Sequence, residues 1–132
     1  MPLCRVSVGI LVKDNQVLVA RRHAHQHQGG LWEFPGGKIE LSETPLEALT
    51  RELREEIAIE VLSAEFLFTV QHVYPDKQVQ LEIFRVLKFE GTPEHQEGQV
   101  LEWKSVAALA AEDLPEANYQ ILDYLISQSA TR

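Results

Sequence analysis

The segment from residue 37 to residue 59 restricts the possible folds of this chain more than any other part of the sequence. Thr44-Pro45-Leu46-Glu47 forms a capping box with proline at the first helical position, which marks the start of a helix. Apolar residues then recur at three- and four-residue steps, at Leu46, Leu49, Leu53 and Ile57. This spacing predicts an amphipathic helix with one buried face.

A second stripe on the same helix is acidic. Glu52, Glu55 and Glu56 lie at positions i, i+3 and i+4, so their carboxylates share one face beside the apolar stripe. A solvated acidic surface is the simplest explanation, but Gly36 and Gly37 approach this face from the loop before the helix. Clustered carboxylates beside an exposed backbone carbonyl suit Mg2+ or Mn2+, so the sequence predicts a metal site here.

The same segment resembles the signature of the Nudix hydrolases. The matching residues, at fixed spacing, are Gly37, Glu43, the run Arg51–Glu56, and Ile59. Ala58 stands where the family has glycine, and an alanine in a left-handed helix cap costs roughly 1 kcal/mol. The resemblance implies an α/β fold, namely an α/β/α sandwich around a mixed β-sheet, in which the signature forms a loop–helix–loop catalytic motif.

Composition limits the class of protein and of partner. The 132 residues are enough for one domain, and we expect residues 1–132 to form a single one. Twenty acidic and twelve basic residues give a net charge of −8, which disfavours nucleic-acid polymers as partners. A polyphosphate would need divalent cations to approach. Cys4 is the single cysteine, which excludes an internal disulfide, fits a cytoplasmic location and is expected to pack in the first strand.

The remaining elements are predicted from apolar alternation and turn residues, without an internal repeat or linker. No apolar run is long enough to span a membrane, and the first one reads as a strand instead of a signal peptide. The predicted strands are Leu3–Val12, Val17–Ala20, Val61–Val73, Val79–Phe89 and Val100–Trp103, with a turn at Lys13–Gln16 and a hairpin turn at Tyr74–Lys77. A short helix is predicted over Ser105–Ala111, then a connector over Leu114–Asn118 and a terminal helix with Ile121, Leu122, Leu125 and Ile126 facing inward.

The loop after the second predicted strand contains three histidines, His23, His25 and His27. They could suggest zinc, but no cysteine or fixed helix supports ligation, and a polar loop ending in Gly29 and Gly30 is the favoured interpretation. Before this loop, Arg21 and Arg22 point to opposite faces of the strand, so one of them can reach an anion or both can be solvated.

Two aromatic residues follow the histidine loop. Trp32 and Phe34 share one face of a short extended piece, and they can be core residues or walls of a pocket for a nucleotide base. From the residues alone, the core is the favoured interpretation.

Beyond the signature, the chain is similar to the MutT branch of the Nudix family at Glu33–Lys38, Tyr74–Asp76, Glu97–Gln99 and Pro115–Asn118. This resemblance implies hydrolysis of nucleoside triphosphates to the monophosphate and pyrophosphate, with a preference for oxidised guanine nucleotides. It implies that the ion is bound by the carbonyl of Gly36 and by the carboxylates of Glu52, Glu55, Glu56 and Glu97. Glu52 or Glu97 would help to deprotonate the attacking water, and Arg51, with Glu55 as its i, i+4 partner, would orient the glutamates.

The resemblance also assigns residues that bind the substrate, namely Arg22, His27, Phe34, Lys38 and Asn118. Asn118 has two interpretations, because it can cap the last helix or read a base. Its amide offers one donor and one acceptor, which suits O6 and N7–H of an oxidised guanine. Lys77 stands where MutT proteins can carry arginine, which would remove a bidentate contact.

Other functions remain open at this stage. Related Nudix enzymes act on cytidine or modified pyrimidine triphosphates, and Gly30–Phe34 and Arg51–Glu56 suit them equally well. A Nudix domain that only binds nucleotide is disfavoured, because such domains lose metal glutamates that this chain keeps. ADP-ribose hydrolysis is also disfavoured, since nothing suggests a second nucleoside pocket. We expect a cytoplasmic monomer, with a dimer left open, that uses Mg2+ or Mn2+ on a small-molecule nucleotide and contacts no membrane.

Overall fold

The computed structural model describes residues 2–21, 30–96 and 98–130. For residues 129 and 130 it describes the backbone only. Within these ranges the chain forms eight strands, two α-helices and three short 3-10 helices. The strands are β1 (Leu3–Ile10), β2 (Val12–Lys13), β3 (Gln16–Arg21), β4 (Trp32–Glu33), β5 (Gly36–Lys38), β6 (Glu60–Val73), β7 (Gln78–Glu90) and β8 (Leu101–Ser105). The α-helices are α1 (Pro45–Ile57) and α2 (Tyr119–Ala130), and the 3-10 helices are Val106–Ala108, Ala111–Asp113 and Glu116–Asn118.

The strands form two four-stranded sheets in the described ranges. The sheet with the longer strands, called the larger sheet below, is mixed, as predicted, and has the strand order β5-β1-β7-β6. β1 runs parallel to β7 and antiparallel to β5, while β6 and β7 form the predicted antiparallel hairpin. The predicted strand Leu3–Val12 is wrong in its extent, because β1 ends at Ile10 and Val12 belongs to the smaller sheet. The apolar run does not reveal this change of sheet, since it continues without a break through the buried Leu11 to Val12.

The smaller sheet is arranged around β3, which pairs with β2, β4 and β8. The predicted turn between β2 and β3 is confirmed, with Asp14 and Asn15 at φ values of 53° and 64°. These values belong to a tight two-residue hairpin turn, for which Asp and Asn are favoured residues.

Two apolar clusters place one helix on each face of the larger sheet. Successive side chains of a strand point to opposite faces, so Phe84 of β7 packs in the cluster with Leu53 of α1, and Ile83 packs in the cluster with Ile121 of α2. The resulting order of helix, sheet and helix is the predicted sandwich. It leaves α1 beside β5, where the acidic face of the helix meets the glycine pair.

Two residues predicted to be buried are half-exposed instead. Leu46 is 45% exposed because it lies in the first turn of α1, outside the cluster that covers Leu49 and Leu53. Ile126 is 50% exposed, since it lies about 140° around α2 from Ile121, at the edge of the buried stripe.

The segment between β8 and α2 is less regular than predicted. The predicted helix Ser105–Ala111 is replaced by the 3-10 helices Val106–Ala108 and Ala111–Asp113, and the predicted connector contains the third, Glu116–Asn118. In the described ranges, no helix is long and apolar enough to cross a membrane.

Candidate active site

The start and the end of α1 are both fixed by local hydrogen bonds. The capping box is formed as predicted: the Glu47 N–H donates to the Thr44 hydroxyl at 3.1 Å, and the Thr44 N–H donates to the Glu47 carboxylate at 2.8 Å. At the other end, Ala58 has φ 59° and ψ 33°, so the left-handed cap forms even without glycine. The Ala58 N–H donates to the Arg54 carbonyl at 3.2 Å, which keeps the helix end intact.

Arg51 is the centre of a network of carboxylates on α1 and on the loop before it. Its Nη1 donates to Glu52 at 2.7 Å and to Glu55 at 3.3 Å, so the predicted i, i+4 ion pair is present. Its Nε and Nη2 donate to the two carboxylate oxygens of Glu43 at 2.6 and 2.9 Å. A further bond from Nη2 to the Lys38 carbonyl, at 3.0 Å, ties the helix to β5.

Glu43 is a structural member of this network to which the sequence analysis gave no role. The hydrogen bonds from Arg51, and then one from the Glu40 backbone N–H, lower the pKa of Glu43 to about 2. The same pair raises the pKa of Arg51, mainly through the hydrogen bond to Glu43 and then through that to Glu52. The fixed spacing of eight residues between Glu43 and Arg51 is the signal that could have revealed the pair.

The glycine pair allows β5 to approach its neighbours closely. A Cβ at Gly36 would overlap the Ser7 carbonyl oxygen on β1, and a Cβ at Gly37 would overlap the Glu52 carboxylate. The Glu52 carboxylate therefore rests directly on the β5 backbone, between Gly37 and Arg51. Any larger residue at position 37 would displace it.

The described acidic residues do not by themselves form a cluster of three or more side chains that could hold a metal ion. Glu52 and Glu55 are drawn to the Arg51 guanidinium, while Glu56 lines the adjoining cavity. Glu97, the remaining predicted ligand, lies outside the described residues. The available donors, three carboxylates and the Gly36 backbone, are all oxygen atoms, which is the ligand type that Mg2+ prefers.

A cavity of about 300 Å3 joins this acidic face to the end of the sheet. Its lining includes Gly36, Gly37 and Glu56, together with the predicted substrate residue Lys38. It also includes Cys4, Phe34, Tyr74, Lys77 and Asn118. Oxygen donors of the acidic face and side chains from other parts of the chain therefore line one cavity.

The aromatic residues that follow the histidine loop have separate surroundings. Phe34 is 3% exposed and lines the cavity, so it is a core residue, as favoured, and a cavity wall at the same time. Trp32 is also buried, and its ring lies between the Arg21 guanidinium and the Lys104 ammonium, each 4.7 Å from the ring centroid. Cys4 is partly buried and packs against the core of the larger sheet, consistent with the predicted packing role.

Asn118 differs from the other buried polar residue in the described ranges, Ser7. Ser7 is fully buried and its hydroxyl donates to the Pro45 carbonyl at 2.6 Å. Asn118 is only 9% exposed, yet its side-chain amide makes no hydrogen bond to any described residue. It directly precedes α2, where a cap residue would lie, but its side chain accepts no hydrogen bond from the described first turn of that helix and lines the cavity instead.

Several predicted residues cannot be placed. Arg22 and His27, predicted to bind substrate, lie outside the described residues, as do His23 and His25 of the zinc interpretation.

Tyr74 was predicted as a turn residue in a stretch similar to the MutT branch, without a role in the site. It is 5% exposed and lines the cavity.

Comparison with known proteins agrees with this geometry. The NUDIX domain family profile matches residues 7–124. The 8-oxo-dGTP diphosphatase of Escherichia coli (strain K12) is 37% identical over 123 residues, covering 92% of this chain and 95% of that protein. The CTP pyrophosphohydrolase of the same organism is 35% identical over 132 residues, covering 100% of this chain and 98% of that protein.

Solved structures give the same result. A structure from a study of MutT from Aliivibrio salmonicida and Vibrio cholerae superimposes with a TM-score of 0.80 and 32% identity, covering 96% of this chain and 98% of its own. The solution structure of the Escherichia coli ORF135 protein has a TM-score of 0.83 and 35% identity, covering 100% and 94% of the two chains. With its signature helix, glycine pair and sandwich fold, the chain belongs to the Nudix domain family, in its MutT-like branch.

Proposed function

We propose that this protein hydrolyses nucleoside triphosphates to the monophosphate and pyrophosphate, with 8-oxo-dGTP as its preferred substrate. The observation that carries the proposal is the Asn118 amide, which is buried in the cavity without a partner among the described residues. A buried amide without hydrogen bonds is unfavourable, so such a group is expected to pair with a ligand. Its function would be to remove oxidised guanine from the nucleotide pool of the cytoplasm and so prevent mutation.

The chemistry of the amide selects the base. Its oxygen accepts one hydrogen bond and its nitrogen donates, which matches the N7–H and O6 of 8-oxoguanine. Unoxidised guanine has a bare acceptor at N7, so the amide oxygen of Asn118 would face a lone pair. A buried, mispaired polar group discriminates strongly between substrates. Phe34 would pack against the base, and Arg22, His27 and Lys38 are the further residues proposed to contact the nucleotide.

The donor set fits Mg2+, with Mn2+ as an alternative. The Gly36 carbonyl and the carboxylates of Glu52, Glu55, Glu56 and Glu97 would hold it. When bound, the ion neutralises phosphate oxygens and lowers the pKa of a bound water.

The residues of the chain then have distinct tasks in the reaction. The water oxygen would form a bond to one of the two phosphorus atoms that flank the α–β bridging oxygen, and its proton would pass to the Glu52 or Glu97 carboxylate. The bond from that phosphorus to the bridging oxygen would break, and its electron pair would leave with the bridging oxygen. Arg51 holds Glu52 in place through the 2.7 Å hydrogen bond. An amide at position 52 would keep this shape but could not take the proton.

A screen of pyrophosphate release tests the proposal. Normal and oxidised triphosphates would be compared with Mg2+ present and at low substrate concentration, where the rate reports kcat/KM. We expect kcat/KM for 8-oxo-dGTP to exceed that for dGTP by at least ~100-fold. O6 accepts a hydrogen bond in both bases, but N7 donates to the Asn118 oxygen only in the oxidised base, and a site that leaves such a buried polar group mispaired rejects the substrate strongly. Equal rates on the two nucleotides would contradict the assignment of the base.

A second candidate is the hydrolysis of CTP, dCTP or modified pyrimidine triphosphates. It is supported by the similarity to the CTP pyrophosphohydrolase, which extends over the whole of this chain. The same screen distinguishes this candidate from 8-oxo-dGTP hydrolysis. If the second candidate is correct, a cytidine or modified pyrimidine triphosphate will give the highest kcat/KM. A protein that binds nucleotide tightly but releases no pyrophosphate with Mg2+ would instead be a binding domain.

A further inference from the structure

The turn of the β6–β7 hairpin reaches the segment that carries Asn118. The Tyr74 hydroxyl oxygen accepts a hydrogen bond from the Ala117 backbone N–H at 2.9 Å, in buried surroundings. The two residues are 43 positions apart, so this bond is a tertiary link between separate elements. Ala117 directly precedes Asn118, and consecutive Cα atoms are only about 3.8 Å apart. A displacement of the Ala117 amide is therefore expected to move the backbone that carries the Asn118 side chain.

A second contact joins the same two segments nearer the surface. His72 Nε2 lies 3.2 Å from a carboxylate oxygen of Glu116. The His72 ring also packs against the Tyr74 ring edge-on, with centroids 4.6 Å apart. Of the three residues of the 3-10 helix, Glu116 and Ala117 are thus held by the hairpin, and Asn118 lines the cavity.

Asn118 has no side-chain hydrogen bond to another described residue, so its direction depends on the backbone that carries it. We propose that the Tyr74 hydroxyl is a positioning group for Asn118 and, through it, a determinant of which base the cavity accepts. This inference rests on the function proposed above. Tyr74 lines the same cavity, so its ring limits the space for the base while its hydroxyl fixes the amide that reads it.

The substitution Tyr74→Phe tests this role, because it keeps the ring and removes only the hydroxyl. The Ala117 N–H would lose its acceptor, and Asn118 would lose its fixed position. We expect kcat/KM for 8-oxo-dGTP to fall about tenfold, which corresponds to about 1.4 kcal/mol. The loss should lie in KM with kcat nearly unchanged, since the base binds away from the reacting phosphate. The ratio of 8-oxo-dGTP to dGTP should narrow by a similar factor.

Tyr124→Phe is the matched control. It also removes a hydroxyl from a partly buried tyrosine, one that lies 3.5 Å from Arg85 Nη1 and outside the cavity. The ratio between the two nucleotides should stay at the wild-type value in this variant. The melting temperature of both variants is measured beside the kinetics.

Hydrogen exchange of the Ala117 amide, followed by NMR without nucleotide, measures the link itself. The exchange rate of this amide should rise in Tyr74→Phe and stay unchanged in Tyr124→Phe. Unchanged exchange in Tyr74→Phe would overturn the proposal, and so would a nucleotide ratio that stays at the wild-type value. Equal losses on both nucleotides that follow a lower melting temperature would also overturn it. A wild-type enzyme without preference for 8-oxo-dGTP is a different result, because it refutes the proposed function before any variant is compared.

Discussion

Asn118 is the residue on which the proposed choice of substrate depends. Its side-chain amide is buried, lines the cavity and has no hydrogen bond to the rest of the described chain. A substitution at this residue would therefore remove the proposed contact to the base without breaking a side-chain hydrogen bond within the described chain.

We predict that Asn118→Ala loses most activity on 8-oxo-dGTP and much less on dGTP. Removing both hydrogen bonds should lower kcat/KM for the oxidised nucleotide by at least ~30-fold, since each is valued at about 1–3 kcal/mol when left unmade in a buried site. Asn118→Asp is the finer test, because its carboxylate still accepts from N7–H but repels O6. Steady-state kinetics on both nucleotides, with a melting curve for each variant, decide the question. Equal losses on both nucleotides that track stability would assign Asn118 a purely structural role.

Glu52 is the residue on which the proposed chemistry depends. We predict that Glu52→Gln lowers kcat by at least ~100-fold with Mg2+ saturating, because an amide can neither accept the proton nor neutralise a cation. The fold should survive, since glutamine keeps the shape that fits between Gly37 and Arg51.

Glu60→Gln is the control for that substitution. The Glu60 carboxylate, at the start of β6, accepts hydrogen bonds of 2.9 and 3.0 Å from Arg54 of α1. Glu60→Gln therefore also removes a carboxylate from an arginine on α1. Glu60 does not line the cavity, so Glu60→Gln should have the wild-type kcat. Near-normal turnover in Glu52→Gln would refute the catalytic assignment of that residue.

At the scale of elements, α1 and the loop before it are joined mainly by one ion pair. Arg51 binds both carboxylate oxygens of Glu43 and the Lys38 carbonyl, so the helix, the loop and β5 meet at a single guanidinium. The pair also holds Arg51 against Glu52. A change in Glu43 is therefore expected to affect the helix attachment and the catalytic face together.

We predict that the stability contributed by Glu43 depends on pH in the acid range. Its pKa is lowered from 4.5 to about 2 in the folded protein, so the unfolded chain takes up the proton first as pH falls. The contribution is fully present above pH ~4.5 and is lost as pH falls toward ~2. Urea unfolding of wild type and Glu43→Gln should therefore show a difference that shrinks over this window. A difference that stays constant from neutral pH to the acid end would refute the ion pair as its source.

At the scale of the whole molecule, local signals predicted elements well and long-range contacts poorly. The capping box at Thr44 and the apolar spacing gave the bounds of α1 almost to the residue. Leu46 and Ile126 were wrongly predicted to be buried, because periodicity describes a helix face but not how far its neighbours extend. The change of sheet after Ile10 was missed because the apolar run continues through the buried Leu11 to Val12.

Only the part of the candidate site that lies within the segment from Gly37 to Ile59 could be predicted from spacing in the sequence. The approach of the glycine pair to the acidic face was expected from its position in the loop before the helix, and in the structure Gly37 lies against the Glu52 carboxylate. The bond between Tyr74 and Ala117 joins residues 43 positions apart, so it depends on the hairpin folding back over the 3-10 helix. Specificity contacts of this kind require the three-dimensional structure.

The protein has a net charge of −8, so we predict that a bound divalent cation stabilises the folded state. Repulsion among the carboxylates of α1 should be relieved when a divalent ion binds there, so Mg2+ should raise the melting temperature. At ten times its Kd, a ligand that binds only the folded state stabilises it by about 1.4 kcal/mol, which corresponds to a rise of roughly 5 °C in a chain of this size. NaCl at matched ionic strength is the control, because it screens all charges without occupying a site. Chelator should reverse the rise and stop turnover, and Mg2+ without added zinc should restore both. If NaCl raised the melting temperature as much as Mg2+ does, or if Glu52→Gln responded like wild type, the ion would not be bound at this carboxylate face.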